Sequence, residues 1–240
     1  MAKKYKVDYS SFLGFIMFAF VIVFIWRFYY GYYILYPFTI MGTWFHEMGH
    51  GLTALIMGGE FLQLEIFTSG SGVATSRLSN PYLPVKIADA LISAGGLLGP
   101  PITGAFVILM SKSYKSSKIV LYLLAISMLV SVVIWVKGPV GITIITCLGL
   151  LFLFIAIKAK PVIHQFVAQL IGIMACISTY RQLDYLFMGE ATINGNTMLS
   201  DTGQIAAQLG LTYSFWSTLI LIISFIMLVY SLYLRNRTRV

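Results

Sequence analysis

Two histidines stand four residues apart, at His46 and His50, and Glu47 directly follows the first. On an α-helix this spacing puts both imidazoles on one face, a turn apart, so each can offer a ring nitrogen to one metal ion. Glu47 then lies beside that ion, where it can hold and deprotonate a water. In the His-Glu-x-x-His arrangement Zn2+ lowers the pKa of its water to about 7 and the glutamate is the general base. The chain has three histidines in all, so this pair is not drawn from a large stock. The plainer reading is two interfacial histidines and a helical glutamate. Ionisable groups in an apolar segment are costly and are kept for function, which favours metal binding.

A catalytic zinc site needs a third protein ligand and one open position. The remaining candidates are Asp8, Glu60, Glu65, Asp89, Asp184, Glu190, Asp201, His164, Cys147 and Cys176. Asp8 precedes the first apolar run and is expected in solvent. Glu60 and Glu65 fall in a segment of strand-like alternation, with Glu65 on its outer side. His164 follows Lys158, Lys160 and Pro161 and is expected at the membrane boundary. The two cysteines read as small buried apolar residues, with no disulfide framework. Asp89, Asp184 and Asp201 remain. Asp184 has another partner in Arg181 at i, i+3, and Asp89 can serve a helix start. Asp201 can close a capping box with Gln204 instead of binding metal.

The elements that must position these groups are membrane helices. Of the 240 residues, 59% are hydrophobic and 10% are charged, whereas a soluble domain carries about a quarter charged. Apolar runs at 12–26, 91–110, 119–136, 140–157, 166–177 and 215–234 predict six or seven transmembrane helices in one integral membrane domain over 1–240. The fold class is an all-α polytopic membrane protein. The net charge of +8 does not imply nucleic acid, because the basic residues gather at the ends of spans: Lys3, Lys4 and Lys6, Lys112 to Lys118, Lys158 and Lys160, Arg235 to Arg239. The apolar run after the N-terminal lysines lacks a small-residue cleavage pattern and reads as a retained anchor.

The helix with the histidine pair is expected at about 38–58, after Pro37 and before Gly58-Gly59. Residues 60–77 then alternate and carry Ser69-Gly70-Ser71-Gly72, which predicts a β-hairpin. Pro100 and Pro101 are expected to break or kink the next span, and Gly95, Gly96 and Gly99 form either a gate or a packing surface. Aromatic residues from Phe28 to Tyr36 suit a water–lipid boundary. A polar segment, 188–210, includes a short helix after Asp201. Placing all basic loops on one side brings this segment to the membrane half that holds the histidine pair. It also requires the strand pair or the broken span to re-enter.

FHEMGHGLTALIMGG, then GSGVATS, AGGLLGPP and LSDTGQIAAQLG, together resemble the M50 site-2-protease-like zinc metallopeptidases, nearest the M50B-like branch, over Trp44 to Leu211. The resemblance implies intramembrane proteolysis with Zn2+ on His46, His50 and a downstream aspartate, and Glu47 activating the zinc-bound water. Its late Ser-Asp-Thr-Gly stretch favours Asp201 over Asp184 as third ligand. The expected function is a zinc-dependent intramembrane endopeptidase of the cell membrane acting on membrane-anchored protein substrates. The alternative is a non-proteolytic membrane metal-binding protein, a transporter, chaperone or inactive homologue. Oligomeric state is not legible in the sequence.

Overall fold

The computed structural model describes residues 5–7, 9–193 and 195–239; Lys3, Lys4 and Asp8 lie outside them. In chain order the elements are β1 (Tyr5–Val7), α1 (Tyr9–Trp26), α2 (Tyr29–Ile34), α3 (Tyr36–Ile56), β2 (Glu60–Ile66), β3 (Gly72–Arg77), α4 (Val85–Met110) and α5 (Tyr114–Ile134). There follow β4 (Val136–Lys137), α6 (Pro139–Lys158), α7 (Pro161–Arg181), α8 (Leu183–Leu186), β5 (Glu190–Ile193), β6 (Asn196–Leu199), α9 (Asp201–Leu209), α10 (Tyr213–Asn236) and β7 (Arg237–Arg239). Local signals set many of these limits. Proline occupies the first turn of α3, α6 and α7, where its missing N–H costs nothing. Ser113, Ser200 and Thr212 cap α5, α9 and α10 by accepting the backbone N–H three residues on.

Among the described residues five helices, α4, α5, α6, α7 and α10, are long and apolar enough to cross a membrane. Large apolar side chains such as Phe106, Val133, Phe154 and Phe225 stand exposed on them, as lipid-facing residues do. This is an integral membrane protein. The expectation of six or seven spans counts two further helices. One is α1, an 18-residue helix whose described side chains form the apolar stretch Leu13–Trp26. The other, α3, has 21 residues, but Thr39, Thr43, His46, Glu47, His50 and Thr53 make it too polar to qualify.

Helices α3 and α4 run antiparallel and meet through glycine. A Cβ added at Gly49 would overlap the carbonyl oxygen of Gly95, and one added at Gly99 would come within 2.8 Å of the Phe45 carbonyl. Helix α4 continues through Pro100 and Pro101, so the expected break is absent. Its backbone there is buried against α7, where the Cys176 thiol donates to the Pro101 carbonyl at 3.6 Å. Packing on both sides thus holds the helix although two N–H groups are missing.

The expected hairpin is present as β2 and β3, paired antiparallel, with β4 added in parallel on the far side of β2. A register shift between Phe61 and Gln63 resets the alternation, so that Phe61, Leu64 and Ile66 are buried. The hairpin folds back along α3. Gly59 lies at Arg77 near the end of α3, whereas Gly70 in the turn lies against Thr39 near its start. The strand pair is therefore the element that doubles back. Side chains satisfy the carbonyls of its turn: Tyr36 donates to Thr68, Tyr32 to Ser69 and Thr43 to Gly70 at 2.9, 2.9 and 2.6 Å. Two of the tyrosines expected at a lipid boundary thus bond the turn.

Other differences are local. His164 is buried rather than interfacial, because its Nε2 donates to the Ile155 carbonyl at 3.0 Å across the α6–α7 corner. Cys147 is exposed on α6, while Cys176 is buried. A second hairpin, β5 and β6, pairs Glu190 with Leu199 and Ile193 with Asn196. Alternation over four-residue strands was too brief to announce it, though the Asn194-Gly195 pair between them is a hairpin-turn signal.

The glycine contact leads to a prediction. Replacing Gly49 by Ala should separate α3 from α4 and lower stability by about 1–3 kcal/mol. Alanine at the exposed Leu52 of the same helix should stay within about 0.5 kcal/mol. Unfolding of the detergent-solubilised protein measures both, and equal midpoints for the two variants would contradict the packing argument.

Candidate metal centre

His46 and His50 project from α3 at its closest approach to α4. Their rings lie edge to face with centroids 4.7 Å apart. His50 Nδ1 donates to the Ile92 carbonyl at 2.8 Å, which leaves Nε2 as the free acceptor and fixes the ring. A Cβ on Gly96 would overlap the His50 ring, so the glycine at this position makes the room His50 occupies.

Asp201 arrives from the other end of the chain. Ser200 caps α9, its Oγ accepting from the Gly203 amide at 3.0 Å, so the capping role read for Asp201 belongs to its neighbour. Ser200 also donates to the Met188 carbonyl at 2.5 Å, and Thr202 to the Leu186 carbonyl at 2.8 Å. These bonds pin the start of α9 to the end of α8 and leave the Asp201 carboxylate free. It lies 3.0 Å from His46 Nε2 through Oδ2 and 3.3 Å from His50 Nε2 through Oδ1, and the two Nε2 atoms are 3.1 Å apart. Burial alone would raise the pKa of the Asp201 carboxyl, but His50 and His46 outweigh it and hold the group well below the usual carboxylate range.

The donor set fits a zinc ion. Ligand atoms about 2.0–2.1 Å from a tetrahedral zinc stand about 3.3 Å from one another, close to the spacing of these three. They form the one His, Cys, Asp and Glu cluster of this kind among the described residues. Asp184 is not near them. Its side chain is 82% exposed against 14% for Asp201, and it faces Arg27 at 3.9 Å. The expected Arg181–Asp184 pair is also absent, because α7 stops at Arg181 and Gln182 leaves helical geometry. Without a continuous helix the i, i+3 relation is lost. Asp89 lies half-buried near the start of α4, and Glu60 pairs with Arg77 at 3.5 Å; neither joins the cluster.

Glu47 is buried at 4% exposure and accepts a hydrogen bond from the Ala74 backbone amide of β3. A Cβ on Gly72 would come within 2.8 Å of its Oε1, so glycine lets the strand lie over the carboxylate. Sequence reasoning missed Tyr185. Its hydroxyl donates to Asp201 Oδ2 at 3.2 Å and accepts from the Asp201 amide at 3.3 Å. Burial, and then the Asp201 charge, raise the phenol pKa and keep it protonated. No spacing signal marks this residue, since its place depends on the turn between α7 and α8. All these groups border a cavity of about 430 Å³ that opens between β3 and the β5–β6 hairpin.

The family model described as Peptidase M50B-like matches residues 15–231. The chain belongs to the Peptidase M50B-like family. No curated protein and no solved structure gives a significant match. M50 peptidases are generally zinc-dependent, and the three-residue cluster of this M50B-like chain has the donor types such an ion takes. The matched span contains α3, both hairpins and α9, and so every residue of the cluster.

Two measurements follow for the M50B-like site. Asp201→Ala should lower zinc content, while Asp184→Ala should leave it at the wild-type level; release by the Asp184 change alone would reverse the ligand assignment. Tyr185→Phe should weaken zinc binding by about 10- to 100-fold, as loss of a group that orients a ligand does, in competition against a fluorescent chelator.

Proposed function

We propose that this protein is a zinc-dependent intramembrane endopeptidase of the cell membrane, in which His46, His50 and Asp201 hold the metal and Glu47 is the general base. The observation that carries the reading is the meeting of Asp201 with both histidines beside a buried glutamate, in a cavity lined on one side by a strand edge. Zinc at the three donors would acidify water and polarise a peptide carbonyl.

The residues of the chain supply the rest. Glu47 takes the proton of the attacking water and returns it to the leaving amine. The Ala74 amide holds this carboxylate in place. Tyr185 fixes the orientation of Asp201. Strand β3 lies at the edge of its sheet, and Val73, Ala74 and Ser76 border the cavity. An extended peptide can therefore add beside β3, which exposes a scissile amide that helical hydrogen bonds would hide. Membrane-anchored proteins with a segment able to unwind are the matching substrates. On this reading α1 and α3 complete the membrane domain together with the five longer spans.

Glu47→Gln tests the assignment. The variant should keep the zinc content of the wild type and lose at least about 100-fold in cleavage rate on a peptide or a reconstituted membrane-anchored substrate. Normal cleavage by the purified variant would remove Glu47 from the general-base role.

A further inference from the structure

The cavity holds one cation that the reaction does not use. Arg181, the last residue of α7, borders it together with Gln182, Ser69 and Ser71. Its Nε is buried without a hydrogen-bond partner. Among the described residues no carboxylate comes within 4.0 Å of its guanidinium, whereas Arg27 pairs with Asp184 and Arg77 with Glu60. The acids of the cavity are engaged elsewhere, Asp201 with His46, His50 and Tyr185, and Glu47 with the Ala74 amide. A sheltered guanidinium without a counter-charge is unfavourable, and its planar fork matches a carboxylate in two-point contact.

We propose that Arg181 is a specificity-determining residue that anchors a carboxylate of the substrate at the Ser69–Ser71 end of the cavity. This rests on the peptidase reading above. The place follows from the turn between β2 and β3. Ser69 and Ser71 hydroxyls face each other at 2.7 Å, and Tyr32, which donates to the Ser69 carbonyl, is the group that acts electrostatically on Arg181, so either serine can turn to donate to an anion bound at that end of the cavity. Strand β3 begins at Gly72, against Glu47, so a peptide laid along β3 presents a residue to Arg181 close to the scissile bond. Two sources can supply the carboxylate: an Asp or Glu side chain within the substrate, or the free C-terminus of a peptide.

The experiment uses the full-length zinc-loaded protein in detergent and one extended apolar peptide in four forms. These carry Glu or Gln at one position near the cleaved bond, each with an amidated or a free C-terminus, and the set is repeated with that position moved along the peptide. Wild-type protein should favour the carboxylate form by about tenfold or more in kcat/KM. The amidated Glu form identifies a side chain as the source, and the free-acid Gln form identifies the C-terminus. Arg181→Ala should erase the preference, Arg181→Glu should turn it toward a Lys peptide, and Arg181→Lys should keep part of it. Zinc content reports whether each variant is folded. Equal kcat/KM for all four forms on the wild type overturns the anchor without any variant.

Binding separates this proposal from the peptidase reading. Fluorescence anisotropy of the same peptides on Glu47→Gln protein should show the carboxylate preference without turnover, and Arg181→Ala in that background should remove it. If the wild-type protein cleaves none of the peptides while the Arg181-dependent binding preference persists, the peptidase reading falls and the anchor stands. Cleavage with an unchanged Glu-to-Gln ratio in Arg181→Ala would do the reverse.

Discussion

Helices α3 and α4 touch backbone to backbone at Gly49, Gly95 and Gly99, and the geometry of the site descends from that contact. Only at this separation does His50 reach the Ile92 carbonyl of α4 while its ring occupies the space above Gly96. The imidazole is thereby held by two helices at once. Small residues let helices approach closely where lipid gives no hydrophobic drive to associate. Packing between apolar helices is thus converted into the orientation of a polar ring.

The second requirement is backbone satisfaction. A strand pair and a turn lie along α3 in a molecule whose outer surface is apolar, where an unpaired carbonyl is costly. Tyr32, Tyr36 and Thr43 donate to three successive carbonyls of the turn, and Trp135 donates to the Phe61 carbonyl at 3.1 Å while its ring stacks on Phe61. The free edge of β3 is left on the one side where a cavity provides other partners. The hairpin can remain there because polar side chains meet its carbonyls on one flank and the cavity receives its edge on the other.

Local signals in the sequence reached the helices and the first hairpin. The i, i+4 histidines imply a helix, Ser69-Gly70-Ser71-Gly72 implies a turn, and apolar length implies spans; each is a property of adjacent residues. What depends on three dimensions was less legible. Asp201 and Asp184 are both acids beside short helices, and only the stop of α7 at Arg181 and the cap at Ser200 send one inward and the other toward Arg27. Tyr185 and Arg181 were hidden for the same reason, since a change of helix direction over two residues decides what they face. Proline at 100 and 101 misled in the opposite sense, because burial against α7 overrode a local preference.

The donors at positions 46, 50 and 201 also impose an order in time. The two histidines emerge with α3, and the aspartate follows only after α4, α5, α6 and α7 have been synthesised and inserted. Until α9 docks against the end of α8, only two of the three residues of the cluster are in place. On the function proposed above, a growing chain at the site of membrane insertion, surrounded by other unfolded segments, therefore carries no complete zinc site. Docking of α9 and assembly of the three-residue cluster thus become one event.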